Sequence, residues 1–255
     1  MKQEKLISLA SAIGWFCAYI FVGTITIILP DAIDTLAVLI ALWGLVMLSA
    51  NLFEGKHGFL DLLSHGGIRA VSPELPLYAL LMGAALNLIV GSAISLLPLP
   101  DSVVGNYNDA SEYLGVLDIW LIIDVSLFVP MLEETIYRGL IADRLGRVFP
   151  KPVAIIAASA IFAVMHVDPL WMGYAFVLGL IINGIYFRTN SILPCFALHF
   201  AFNFSNYCWD YILFPLPNEK WAHVLVLFVS VAVFAVFALL TVKRTKKKDG
   251  EGENV

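Results

Sequence analysis

Residues 130–140 read PMLEETIYRGL. Two adjacent glutamates and an arginine stand here with apolar sequence on both sides, where an ionised carboxylate is costly to bury. If the run is one helix, Glu134 and Arg138 lie four residues apart and share a face, the spacing of an internal ion pair. Glu133 is turned about 100° from Glu134, because a helix has about 3.6 residues per turn. The carboxylates therefore face different ways. One can pair with Arg138, while the other, with Tyr137 one turn along, faces elsewhere.

The rest of the chain is apolar in the same way. Of its 255 residues 60% are hydrophobic and only 14% charged, where a soluble domain is nearer half and a quarter. That composition predicts an all-α, polytopic membrane protein, each span needing about 20 apolar residues. Apolar runs between turn and charge signals place eight segments near 7–29, 35–52, 77–97, 113–148, 153–166, 170–187, 193–213 and 222–242. Residues 1–242 then form a single membrane domain, its motif-bearing core spanning about 113–213. The fourth run is longer than a bilayer requires and can bend at Pro130. Residues 54–76 can hold a short interfacial helix, 98–112 read as a polar loop, and 243–255 as a disordered tail. Cys17, Cys195 and Cys208 show no CxxC spacing and read as small core residues.

Basic residues fix the orientation. Lys2 and Lys5, Lys56 and Arg69, Arg144, Arg147 and Lys151, Arg188, and the run KRTKKK at 243–248 fall at every second boundary. By the positive-inside rule both termini are cytoplasmic. The expected partners are the bilayer and a substrate in or at it, and nothing suggests nucleic-acid binding.

In so apolar a chain the ionisable groups inside spans carry the information. At about 1.5 Å per residue, Glu133 lies roughly 21 Å in from Arg147 and His166 roughly 22 Å in from Lys151. His199 and Asn203, four apart on one helix face, fall roughly 16 and 22 Å in from Arg188. Three non-adjacent spans thus bring polar groups to a similar level. A carboxylate there can act as general base toward water, a histidine can share the proton, and a second histidine or an amide can stabilise an oxyanion. Alternatively Glu133, His166 and His199 could ligate Zn2+ and leave a position open for water, although no HExxH pattern is present. Taken singly, each group also has a structural reading: an ion pair, a helix-end histidine, or hydrogen bonds between helices. Proton-coupled transport would use similar groups, but no repeat pairs two broken helices.

Taken in order, the motifs resemble the CPBP family of intramembrane proteases, which includes type II CAAX prenyl endopeptidases and bacteriocin-immunity relatives. Its EExxxR motif matches Glu133, Glu134 and Arg138; FxxxH matches Phe162 and His166; HxxxN matches His199 and Asn203. The resemblance implies an eight-helix fold in a bacterial or archaeal plasma membrane and peptide-bond hydrolysis within it. Glu133 would activate water, His166 would assist, and His199 with Asn203 would stabilise the oxyanion. Glu134, Arg138, Tyr137 and Phe162 would support them. The family has been described both as metalloproteases and as glutamate proteases, and the absence of a compact metal motif favours the second form, which needs no cofactor. An inactive, partner-binding relative is the remaining reading of the same motifs.

Overall fold

Hydrophobic length explains the elements that carry the fold. The structure, a computed structural model, describes residues 2–28, 67–100, 118–208 and 219–252, with a few isolated positions between. Every regular element among the described residues is helical. The helices are α1 (Lys2–Ile28), α2 (Glu74–Leu96), α3 (119–148), α4 (Lys151–Val164), α5 (Pro169–Thr189), α6 (Leu193–Tyr207) and α7 (Lys220–Gly252).

Four of them hold stretches long and apolar enough to cross a membrane: Gln3–Phe21, Glu74–Leu96, Pro169–Thr189 and Lys220–Lys246. Eight complete spans are not seen among the described residues. The second expected span and most of the 54–76 and 98–112 segments lie outside the described residues. The fifth forms α4, but at 14 residues it is about 21 Å long and does not cross a core of about 30 Å alone. A turn stops it. His166 N–H donates to the Ala163 carbonyl, Val167 takes φ 58°, and the Asp168 carboxylate accepts from Leu170 and Trp171 N–H at 2.9 and 3.0 Å to cap α5. The hairpin then closes where Gly179 packs tightly on Ser159, a Cβ there standing 3.1 Å from the Ser159 Cα, and Asn183 donates to Ser159 at 2.9 Å.

Helix α3 is continuous but changes pitch twice, with π-helical turns at Asp124–Phe128 and Glu134–Ala142. Its N-terminus is capped by the Asp118 carboxylate, which accepts from Trp120 and Leu121 N–H. Pro130, where a bend was expected, opens the α-helical turn between the two π segments. A proline has no N–H to give to the preceding turn, and wide turns accommodate such gaps.

Contacts between elements order the bundle. Tyr19 meets Glu133 and Ser11 meets Arg144, so α1 runs antiparallel to α3. Helix α2 lies between α6 and α7. A Cβ on Gly83 would stand 2.1 Å from the Leu198 carbonyl oxygen, so the glycine is what lets α2 approach α6. Asn87 reinforces the pair by donating to the Phe202 carbonyl at 3.0 Å and the Asn206 side chain at 2.6 Å.

At one end of the bundle, Arg69 donates to Asn190 at 2.8 and 2.9 Å, and Arg244 reaches Ser72 and Glu74. These basic segments were all assigned to one side from charge alone. Helix α7 runs on to Gly252, past the point where a disordered tail was expected. Lysine and arginine are good helix formers, and the Arg244 contacts and the buried Thr245 hold its continuation. Of the cysteines, Cys195 is buried as expected, Cys17 is exposed and Cys208 intermediate; all three are free thiols.

Candidate active site

Glu134 and Arg138 pair as the four-residue spacing predicts. Arg138 Nη1 donates to Glu134 Oε1 at 2.8 Å, and both side chains are fully buried. The widened turn does not separate them. The same oxygen accepts a second bond from His199 Nδ1, also at 2.8 Å. Glu134 thus does more than balance a charge. It fixes the tautomer and the ring angle of a histidine delivered from α6.

The other face of that imidazole meets the other glutamate. His199 Nε2 lies 3.7 Å from Glu133 Oε2. The carboxylates do leave α3 in different directions, as their helical offset requires, yet they reach opposite nitrogens of one ring. Glu133 retains slight exposure, at 12% of its side chain, where Glu134 has none. Its remaining oxygen, Oε1, accepts from the Tyr19 hydroxyl at 3.3 Å.

Phe162 is the hub of the surrounding aromatic packing. Its ring, with no exposed surface, sits 4.5 Å beneath the Arg138 guanidinium carbon, a cation–π geometry. Tyr137, His166 and His199 meet it edge-on at centroid distances of 5.1, 4.9 and 5.8 Å. His166 Nδ1 lies 3.2 Å from the Phe162 carbonyl in the last turn of α4, which leaves Nε2 for other chemistry. The phenylalanine of the FxxxH pattern therefore touches both histidines and the arginine.

Asn203 stands one turn beyond His199 and faces the same helix. Its amide donates to the Val125 carbonyl at 3.0 Å, and the reason lies in α3. The Val129 N–H, which would reach Val125 in an α-helix, donates to Asp124 in the π turn. The next donor along would be residue 130, a proline. Asn203 supplies the missing hydrogen bond, so one of its N–H groups is committed to structure and one remains.

The residues gathered here thus include Glu133, Glu134, Tyr137, Arg138, Phe162 and His199 in contact, His166 joined through the Phe162 ring, and Asn203 tied to the α3 backbone. A catalytic zinc takes three protein ligands. Glu133 and His199 Nε2 stand close together, but among the described residues no group of three His, Cys, Asp or Glu side chains forms a metal-binding set. The Glu133, His166 and His199 set is not assembled as zinc ligands. Tyr19 was not foreseen: a phenol in an apolar run carries no charge signal, and only the fold reveals its partner.

Residues 115–205 match the family model described as Rce1-like, type II CAAX prenyl endopeptidase Rce1-like. That segment is similar to the family's domain. It contains all three motifs and every gathered residue except Tyr19, and its description agrees with the family that the motifs resemble. No curated protein and no solved structure matches the chain. The matched segment comprises α3 to α6 apart from the last residues of α6, whereas α1, α2 and α7 lie outside it.

Proposed function

We propose that the chain is an integral membrane endopeptidase of the CAAX type, hydrolysing a peptide bond in a substrate in or at the bilayer with Glu133 as general base. The observation that carries this reading is His199 between two carboxylates, held by Glu134 at Nδ1 and facing Glu133 through Nε2, within a segment whose matching family model describes an endopeptidase.

In this mechanism Glu133 takes a proton from water as the water oxygen attacks the scissile carbonyl carbon. His199 has its orientation set by Glu134, so Nε2 is the nitrogen left to the reaction. Protonated there, it donates to the developing oxyanion, and the second Asn203 N–H adds a further donor. Arg138 pairs with Glu134 and helps to hold the positioning carboxylate in place. His166 exchanges a proton with Glu133 and delivers it to the leaving amine as the carbon–nitrogen bond breaks. The products are a new carboxyl terminus and a free amine. None of these steps uses a metal.

The test is cleavage of candidate peptides, prenylated and unprenylated, by the detergent-purified protein. Wild type should cleave, and Glu133→Ala and His166→Ala should each lose activity by at least about 100-fold, as expected for removing a positioned acid–base group. Full activity in either variant overturns that residue's role. A chelator should leave the rate unchanged; loss of activity restored by zinc would replace the glutamate mechanism by a metal one. Proton flux in liposomes that depends on Glu133, without cleavage of any peptide, would favour a transporter.

A further inference from the structure

We propose that Tyr19, on the first helix and outside the matched segment, is a positioning residue for Glu133. This inference rests on the general-base role given to that glutamate. The two carboxylate oxygens have separate neighbours: Oε2 faces His199 Nε2 at 3.7 Å, and Oε1 accepts from the Tyr19 hydroxyl at 3.3 Å. A carboxylate on a flexible side chain rotates about its terminal bond unless something holds it. The phenol holds one oxygen and so directs the other toward the histidine.

The phenol is itself held. The Tyr19 ring meets Tyr137 edge-on at 5.3 Å, and Tyr137 meets Phe162 in the same way. An aromatic chain thus runs from α1 through α3 to α4, ending on both histidines. The rest of α1 is lightly attached: only 6% of its apolar window is buried in the protein. Ser11 meets Arg144 further along the helix, and the Tyr19 hydroxyl reaches the site itself. The helix thus brings to the site a donor aimed at the base.

Tyr19→Phe keeps the ring contacts and removes only the donor. In the cleavage assay it should lower kcat about tenfold, the scale of a lost hydrogen bond to a charged group, with KM within about twofold and the unfolding temperature unchanged. A merely structural tyrosine would give full kcat in Tyr19→Phe and a loss only in Tyr19→Ala. An arm without catalysis reads the contact directly. Isotope-edited infrared spectra identify the Glu133 carboxylate stretch by its loss in Glu133→Gln, and Tyr19→Phe should shift that band. An unmoved band, or an unchanged kcat in an enzyme that Glu133→Gln inactivates, overturns the inference. If no peptide is cleaved, the endopeptidase reading fails while the infrared arm still decides whether Tyr19 holds Glu133.

Discussion

Glu134 Oε1 accepts from Arg138 and from His199, each at 2.8 Å, so one oxygen ties a helix to itself and to a helix 65 residues away. Removing that carboxylate strands a buried cation. Glu134→Gln should cost about 3–5 kcal/mol of stability, the range for breaking a buried pair from one side. Adding Arg138→Met, which removes the stranded charge, should recover most of that loss without restoring cleavage. Thermal unfolding in detergent and the peptide assay separate the two effects. A double variant no more stable than Glu134→Gln would show that the pair is not the source of the cost.

Asn203 and Pro130 should be energetically coupled through the Val125 carbonyl. Asn203→Ala leaves that carbonyl without its donor and should destabilise by about 1–3 kcal/mol. Pro130→Ala puts an N–H back at the position that a π turn aims toward Val125. In the Pro130→Ala background the Asn203→Ala penalty should shrink, which a double-mutant cycle on unfolding free energies measures. Simple additivity would count against the shared carbonyl.

How much of this was legible beforehand follows from what each contact depends on. The Glu134–Arg138 pair and the common face of His199 and Asn203 need only helical periodicity, and both follow from spacing. The convergence of both carboxylates on one imidazole depends on where α6 sits, which no local pattern encodes. The π turns depend on Pro130 and on a distant amide together. The shortness of α4 matches the apolar run 153–166, but the left-handed Val167 that shapes the turn after it has no local signal. Tyr19 stayed hidden because a phenol among apolar residues looks the same whether or not a carboxylate waits opposite.

Val167, with φ 58°, places a β-branched residue in the left-handed region immediately after His166. Such a residue stores about 1–3 kcal/mol of strain. Val167→Gly should therefore raise stability by roughly 1 kcal/mol, glycine's entropy offsetting part of the relief. The same change loosens the turn that follows His166, so kcat should fall even as the melting temperature rises. A parallel fall in both would mean that the valine side chain contributes packing that outweighs its backbone cost.

Gly83 faces the Leu198 carbonyl, the residue just before His199. Gly83→Ala forces α2 and α6 apart at the level of the site. The expected cost is about 1–3 kcal/mol, as for overpacking elsewhere, together with a loss of cleavage larger than stability alone explains. Gly91, on the same helix with open space around it, is the control: Gly91→Ala should leave cleavage unchanged and raise stability by up to about 1 kcal/mol, the helix preference of alanine over glycine.

The proline in α3 also bears on how the protein is made. Val125 finds its hydrogen-bond donor 78 residues further along the chain, so until α6 is in place α3 carries a backbone acceptor that lacks this partner. The same later helix brings His199 to both glutamates. Completion of the helix and completion of the site are thus one assembly event, and a nascent chain that stops short of α6 has neither.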